Sequence, residues 1–406
     1  MAQGAEKTSK LRVLHPITKM VVGGASENTM LTAALTDRNL YDVSIVSGAE
    51  SDGEGDLVAE ARARGTAVYV IDDLRRDINP FRDLLALWRL YIYMRRGRFH
   101  LVHTHSAKAG VLGRLAAKLA AVPVIVHTYH ALSFEDFRGN RAQRYIFLLL
   151  ERTAAKVTDR FITVCEAYRR AAAEHGVAHP DKIVVIRSGF DLEPFRYSQS
   201  TPGLREKLGI PGGAKVVGSI GRLSKQKAPL DLVEIARAVI EKMPGAVFLM
   251  VGDGPERPAV EKRITELALE QHVKLLGIRN DVHELISLFD LLLVTSHWEG
   301  LPRVIPQAMA AGKPVVATDV GGTAEIVEDR VTGFLSPPGS TDAMAKMILQ
   351  LLDDQVLAER FGEAGRERVD EFCAERMAQC TEELYGELLS QKGLISSDGM
   401  RAEAAR

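Results

Sequence analysis

The segment HWEGLPRVIPQAMAAGKPVVATDVGG, running from His297 to Gly322, places the carboxylate of Glu299 in a Gly/Pro loop and the amide of Gln307 eight residues further on. An acid and an amide on either side of a turn suit a ligand that carries both hydroxyls and an anion. The stretch LPRVIPQAMAAG reads as a helix with Pro302 in its first turn. The backbone amides of Leu301, Arg303 and Val304 would then point at an anion docked on its N-terminus. Pro306 is expected to shorten or bend this helix, which makes its start the safer assignment. A second group lies in VVGSIGRLSKQK, where Gly221 ends a strand and Arg222 and Lys227 follow before a helix. Two fixed cations at such a turn suit a diphosphate, whose leaving charge they would stabilise without a metal. The alternative is a solvated basic loop. VGDGPERPAV, after the next strand, resembles part of a G-x-G-x-x-G fingerprint. Pro255 and Glu256 occupy the positions where that pattern should continue, and its third glycine is missing.

The N-terminal half offers glycines and histidines. Gly23 and Gly24 precede a helix after the first strand, where the backbone could approach a phosphate closely; a Gly-Gly pair can equally be only a turn. His103 and His105 sit at a strand end before Ser106, a candidate helix cap. Period-two alternation puts both imidazoles on one face. No further His/Cys/Asp set has convincing metal spacing, so hydrogen-bonded supporting histidines are the simpler reading and no metal site is expected. In VIVHTYHALSF, His127 falls within a strand and His130 in the loop beyond. A loop imidazole there could bind a substrate hydroxyl or move a proton.

Parallel strands alternating with helices must position these loops. Apolar β-branched runs occur at 11–15, 41–47, 67–71, 99–105, 122–128, 160–164 and 182–187, then again at 215–221, 246–252, 273–277, 290–296 and 313–319. Helix-period segments separate most of them, and doubly apolar strands argue for parallel sheets covered on both faces. The alternation lapses over 191–212, which is rich in Gly, Pro and Ser and reads as a linker. Two α/β domains, 10–190 and 213–375, are therefore expected. Open parallel sheets bind ligands beyond the carboxyl ends of their strands, so a cleft between the domains is the natural site. Residues 392–406 read as a flexible tail.

The chain has 406 residues and 46% hydrophobic content. No apolar run reaches the roughly 20 residues of a membrane span, and the N-terminus has no apolar signal core. Cys165, Cys373 and Cys380 lack CxxC spacing and suit a reducing, cytoplasmic setting. Residues 1–190 carry 27 Lys/Arg against 20 Asp/Glu, and the remainder 25 against 33. A basic first half points to an anionic partner such as a membrane surface or a phosphorylated acceptor, set against mere uneven surface charge. LLALWRLYIYMRRGRFH, 84–100, mixes aromatics with Arg89, Arg95, Arg96 and Arg98; it could rest on anionic headgroups or simply cover a sheet. No nucleic-acid partner is expected.

GRLSKQK, VGDGPE, the run from WEGLP to QAMAAGKPVVATDVGGTAEIVED, and RVTGFL together resemble the retaining glycosyltransferases of family 4, over about residues 10–390. The resemblance implies the GT-B fold: two Rossmann-like α/β domains facing across a cleft. It implies a nucleotide-diphosphate sugar donor in the C-terminal domain and an acceptor in the N-terminal one. A final helix, 376–391, would cross back to the first domain. In such enzymes the cations after the G-R-L strand hold the diphosphate, here Arg222 and Lys227. The counterpart of Glu299 lies near the transferred sugar. The second acid of the family's E-x7-E pattern binds ribose; here it is Gln307, a departure that leaves one acceptor oxygen and adds donors. His130 matches a histidine near the sugar, and Gly23 and Gly24 match a turn beside the phosphates. Base contacts are sought at Ile278 and Arg279, with UDP the expected donor nucleotide. HTHSAKAG and HTYHALSF resemble members that build bacterial capsule, exopolysaccharide or lipopolysaccharide on lipid carriers, although Ala131 replaces a more usual Gly.

These features lead to an expectation of transfer of a hexosyl or N-acetylhexosaminyl group with retained configuration, needing no cofactor. The absence of a D-x-D pair implies that no metal is required. A nucleotide-sugar epimerase of the same architecture is the alternative, with an NAD-type dehydrogenase further behind.

Overall fold

The computed structural model describes residues 10–49, 57–132 and 141–395, and it divides into two compact units. The first comprises Met1–Gly189 and Ala374–Arg406, the second Phe190–Cys373. Residues 1–9 and 396–406, including most of the expected tail, lie outside the described residues, as do Ser133 and Phe134 of HTYHALSF.

In the first unit the described residues form strands β1 (Leu11–Ile17), β2 (Tyr41–Ser47), β3 (Ala67–Val70), β4 (Leu101–His105), β5 (Val124–Tyr129), β6 (Arg160–Thr163) and β7 (Ile183–Val185). Their order in the sheet is β3-β2-β1-β4-β5-β6-β7, and every neighbouring pair is parallel. Strands β4 and β5 are buried along their whole length, as expected of a sheet covered on both faces. The helix Ala107–Leu119 lies so close to the sheet that a Cβ on Gly110 would stand 2.5 Å from the His127 ring. Its Arg114 is fully buried, a placement made tolerable by a 2.7 Å ion pair with Glu151, which also accepts from the Tyr129 hydroxyl at 2.7 Å.

The helix Ala374–Gln391 belongs to this unit although it follows the second in sequence. Its Met377, Leu384, Tyr385, Leu388 and Leu389 share a core with Val13, Ile45 and Val126 of the sheet. Asn28, on the helix Gly24–Leu35, meets the Met377 sulfur at 2.8 Å.

The second unit contains β8 (Val216–Ile220), β9 (Val247–Val251), β10 (Val273–Gly277), β11 (Leu291–Val294), β12 (Val315–Thr318) and β13 (Gly333–Ser336), ordered β10-β9-β8-β11-β12-β13 and again parallel. Strand β13 was not anticipated. It is a four-residue edge strand, GFLS, too short to announce itself by alternation. The stretch 191–212 is not a free linker. It folds into the short helices Glu193–Arg196 and Leu204–Lys207, and Leu192, Phe195, Leu204 and Ile210 enter the core of the second unit. Its few large apolar residues, spaced among Gly, Pro and Ser, are what anchor it.

In each sheet the strand order reverses once near the middle, between β1 and β4 and between β8 and β11. The loops leaving these four strands carry most of the residues singled out from sequence. Ligands bind at such switch points in open α/β sheets.

Candidate active site

In the second unit, β8 delivers Gly221 and Arg222, a single 3-10 turn carries Lys225–Lys227, and the helix Pro229–Lys242 follows. Strand β11 delivers Thr295, Ser296 and Glu299 beside it. The two loops are laced together. Thr295 Oγ1 donates to the Lys227 carbonyl at 2.8 Å, the His297 amide donates to the Gln226 carbonyl at 2.8 Å, and the Gln226 side chain donates to the Trp298 carbonyl at 3.0 Å.

This lacing brings Lys227 Nζ to 2.5 Å from Glu299 Oε1, which also accepts from Ser296 Oγ at 2.6 Å. The Glu299 side chain is only 7% exposed and that of Lys227 25%. A carboxylate so buried requires its partners. Lys227 has three N–H donors, so the ion pair leaves capacity for a further oxygen. Arg222 differs: it is exposed, and among the described residues its guanidinium has no ion pair or hydrogen bond. The loop therefore carries one compensated cation, Lys227, and two with no partner among the described residues, Arg222 and Lys225.

Glycines hold this pair of loops from behind. A Cβ on Gly252 would lie 2.1 Å from the Gly221 carbonyl oxygen, and one on Gly254 would lie 2.4 Å from that of Leu223. The Leu223 amide donates to the Asp253 carbonyl at 3.0 Å, and the Glu256 amide donates back to the Leu223 carbonyl at 2.9 Å. The glycines of VGDGPE thus make room for protein backbone, which accounts for the fingerprint fragment without a dinucleotide. Gly321, at φ 53°, would bring a Cβ to 1.8 Å from the Glu299 carbonyl oxygen. The Gly321–Gly322 turn is thus a buttress for Glu299.

The expected helix start shifts. The helix spans Val304–Ala310, so Pro302 precedes it and Pro306 occupies its third position, where a missing N–H costs nothing. The Ile305 amide donates to the Pro302 carbonyl at 3.2 Å, while Leu301, Arg303 and Val304 cluster around this first turn. Gln307 is 8% exposed in the same helix. Ile278 and Arg279 leave β10, at the sheet edge. Ile278 is 78% exposed, and Arg279 is held in a two-pronged ion pair with Asp281, 2.8 Å at Nε.

In the first unit, β1, β4 and β5 bring four histidines into one hydrogen-bonded line. His15 Nδ1 lies 2.9 Å from His105 Nε2, and His105 Nδ1 lies 3.0 Å from His130 Nε2. His103 bonds Tyr385 Oη at 2.5 Å and Thr128 Oγ1 at 2.6 Å. His127 is in β5, bonded to Thr104 at 2.9 Å, and His130 lies just beyond the strand. Burial pulls the His15 pKa down to about 3 and that of His130 to about 4. Burial, and secondarily the unfavourable charging of one imidazole beside another, holds His103 and His105 well below the usual range; for His127 the second cause after burial is the Arg114 guanidinium. All five are neutral at pH 7.

His15, His103 and His105 bring nitrogens within 4.8 Å of one another, a grouping the sequence reading did not assemble. These nitrogens are hydrogen-bonded to other side chains in the line. The signal for His15 was its place at the end of β1. Tyr385 gave none, being 282 residues from His103 in sequence. Ser106 precedes its helix but does not cap it with its side chain; its Oγ bonds Thr18 Oγ1 at 2.8 Å instead. Gly23 is extended (φ 166°). A Cβ there would meet only the Val21 carbonyl, 4.0 Å away, and one on Gly24 would meet nothing within 4 Å. Internal packing does not demand either glycine.

Two parallel α/β units with polar loops at their switch points define a GT-B glycosyltransferase fold, and sequence comparison agrees. Residues 200–368 match the family described as glycosyl transferases group 1, and residues 23–189 match the glycosyl transferase 4-like domain. An Escherichia coli UDP-Gal:alpha-D-GlcNAc-diphosphoundecaprenol alpha-1,3-galactosyltransferase is 31% identical over 356 residues, covering 86% of this chain and 90% of that protein. The Staphylococcus aureus capsular polysaccharide biosynthesis glycosyltransferase CapM is 26% identical, covering 86% and 91%. The crystal structure of Anabaena Alr3699/HepE in complex with UDP and glucose superposes with a TM-score of 0.78 at 25% identity, covering 93% of this chain and all of that one. The chain belongs to the family 4 glycosyltransferases.

Proposed function

We propose that this enzyme moves a hexosyl or N-acetylhexosaminyl group from a UDP-sugar to a lipid-linked or saccharide acceptor, with retained anomeric configuration and without a metal. The observation that carries this reading is the basic loop after β8. Arg222 offers a guanidinium with no partner among the described residues, and Lys227 has spare donors beside a buried, doubly hydrogen-bonded Glu299. A diphosphate there receives charge-assisted hydrogen bonds that strengthen as the leaving group gains charge. The amides near Leu301, Arg303 and Val304 add donors to the same anion, and Gly221 keeps the approach open.

Glu299 is assigned to the transferred sugar, Gln307 to the ribose hydroxyls, and Ile278 with Arg279 to the base. His130 is assigned to the sugar or acceptor hydroxyl, and Gly23 and Gly24 to close backbone approach. We assign no carboxylate the role of covalent nucleophile, so the reading takes same-face attack on an oxocarbenium-like sugar. The relatives support UDP and a diphospholipid-linked acceptor, since the E. coli protein is named for both. Incubation with UDP-hexoses and lipid-linked acceptors, followed by mass spectrometry and anomeric NMR, tests this reading. Acceptor-dependent UDP release that persists in EDTA is expected; strict dependence on Mg2+ or Mn2+ contradicts it.

No helix among the described residues is long and apolar enough to cross a membrane. We place the enzyme in the cytoplasm, resting on an anionic membrane face. The helix Pro80–Gly97 covers the sheet with a narrow stripe of Ala86, Leu90 and Met94. It leaves Phe81 87%, Leu84 65% and Trp88 57% exposed, with Arg95, Arg96 and Arg98 exposed at its end. Large apolar groups beside cations suit a headgroup boundary. Co-sedimentation with anionic vesicles at low salt is expected, and its absence removes this placement.

A further inference from the structure

The line of histidines in the first unit has a direction. Every member is neutral at pH 7, so each imidazole has one N–H donor and one bare acceptor nitrogen. The links run from Thr128 Oγ1 to His103 Nε2 (2.6 Å), from His103 Nδ1 to Tyr385 Oη (2.5 Å) and from Tyr385 Oη to His15 Nε2 (3.4 Å). They continue from His15 Nδ1 to His105 Nε2 (2.9 Å) and from His105 Nδ1 to His130 Nε2 (3.0 Å). A neutral imidazole that accepts at one nitrogen donates at the other, so a reversal passes through every histidine. The Tyr385 hydroxyl could interrupt it only by accepting from both His103 and His15, which leaves its own buried hydrogen without an acceptor among the described residues. Two arrangements remain, with protons pointing towards His130 or away from it.

The buried end decides between them. Thr128 is 3% exposed, and among the described residues its hydroxyl has no partner besides His103. With protons pointing away from His130, His103 donates to Thr128, and the Thr128 hydrogen is left buried with no acceptor. With protons pointing towards His130, Thr128 donates and only a hydroxyl lone pair goes unused. Orphaned buried donors are rarer and costlier than under-used acceptors.

We propose that Thr128, His103, Tyr385, His15 and His105 form a directed hydrogen-bond relay that holds His130 as its Nδ1–H tautomer, so that His130 presents a hydrogen-bond donor rather than a base to its ligand. His105, His15 and Tyr385 are positioning residues in this scheme. The group His130 serves is then an oxygen with a lone pair to share, such as a sugar hydroxyl or a carbonyl. This rests on the assignment of His130 to the sugar or acceptor, but the tautomer itself does not.

The test is 15N–1H correlation NMR of the full chain labelled at histidine, with the His130 signals identified by their loss in His130→Gln. In the ligand-free protein at pH 7 the Nδ1–H form should exceed the Nε2–H form by at least about tenfold. His105→Leu should abolish that excess, and His105→Asn, whose amide can still donate to His130, should retain it. A dominant Nε2–H form in the wild-type protein overturns the relay, whether or not the variants fold. So does an unchanged His130 tautomer in a folded His105→Leu. A protein with the expected tautomer but no transferase activity would instead refute the function assigned to His130.

Discussion

Arg222→Ala and Lys227→Ala should be alike in catalysis and unlike in stability. Each removes a cation assigned to the leaving diphosphate, and loss of one such electrostatic group lowers kcat by about 10²–10³. Arg222 is exposed and unpartnered among the described residues, so its removal should change stability by no more than about 0.5 kcal/mol. Lys227 is the counter-ion of a carboxylate 7% exposed, and among the described residues its removal leaves Glu299 with only Ser296 as a side-chain donor. A buried charged group that loses a partner costs about 1–3 kcal/mol. For a unit of this size that lowers Tm by about 2–4 °C per kcal/mol. Adding Glu299→Gln to Lys227→Ala removes the stranded charge, so it should restore Tm without restoring turnover. Calorimetry beside a UDP-release assay measures both. Equal Tm losses for the two single variants, or near-normal turnover in either, would refute the reasoning.

Three further outcomes follow from the same contacts. Acidification should destabilise the first unit, because its buried histidines have depressed pKa values while unfolded histidine titrates near 6.5, so the unfolded state binds more protons as pH falls. The stabilisation is complete above about pH 6.5 and decays towards the folded value, about 3 for His15; at pH 5 one such group has lost about 2 kcal/mol, and a Tm unchanged from pH 7 to 5 would contradict this. Gly321→Ala should cost about 1–3 kcal/mol and also lower kcat by displacing Glu299, since its Cβ would meet that residue's carbonyl at 1.8 Å; a variant with normal Tm and kcat would show that the buttress is dispensable. Gln307→Glu should tighten UDP binding by roughly fivefold if the side chain reaches ribose, because a charged acceptor gains about 1 kcal/mol over a neutral one; calorimetric titration showing no change or weaker binding would remove Gln307 from the ribose site.

The strands and loops most legible in the sequence were those with the least freedom. The run DLLLVTS could only be a doubly buried strand, and GRLSKQK concentrated its chemistry within seven residues. Ser296 was harder to see. A serine at a strand end has many uses, and only the fold shows that it shares Glu299 Oε1 with Lys227. The buttressing glycines Gly252 and Gly321 were visible as glycines but not as buttresses, because what they accommodate lies 31 and 22 residues away. The packing of 190–212 was hidden by its composition: Leu192, Phe195, Leu204 and Ile210 follow no regular period. The histidine line depends on the neighbouring registers of β1, β4 and β5 and on a tyrosine from the last helix, so no local window contains it.

The most direct test of the account is transfer itself, followed with wild-type and Arg222→Ala protein supplied with a UDP-hexose and a diphospholipid-linked N-acetylhexosamine. The wild-type enzyme should extend the acceptor by one hexose for each UDP released, with the donor's anomeric configuration kept, and Arg222→Ala should do so about 10²–10³ times more slowly. UDP release without acceptor extension, or equal rates from the two proteins, would contradict the assignment of the basic loop to a sugar-bearing diphosphate.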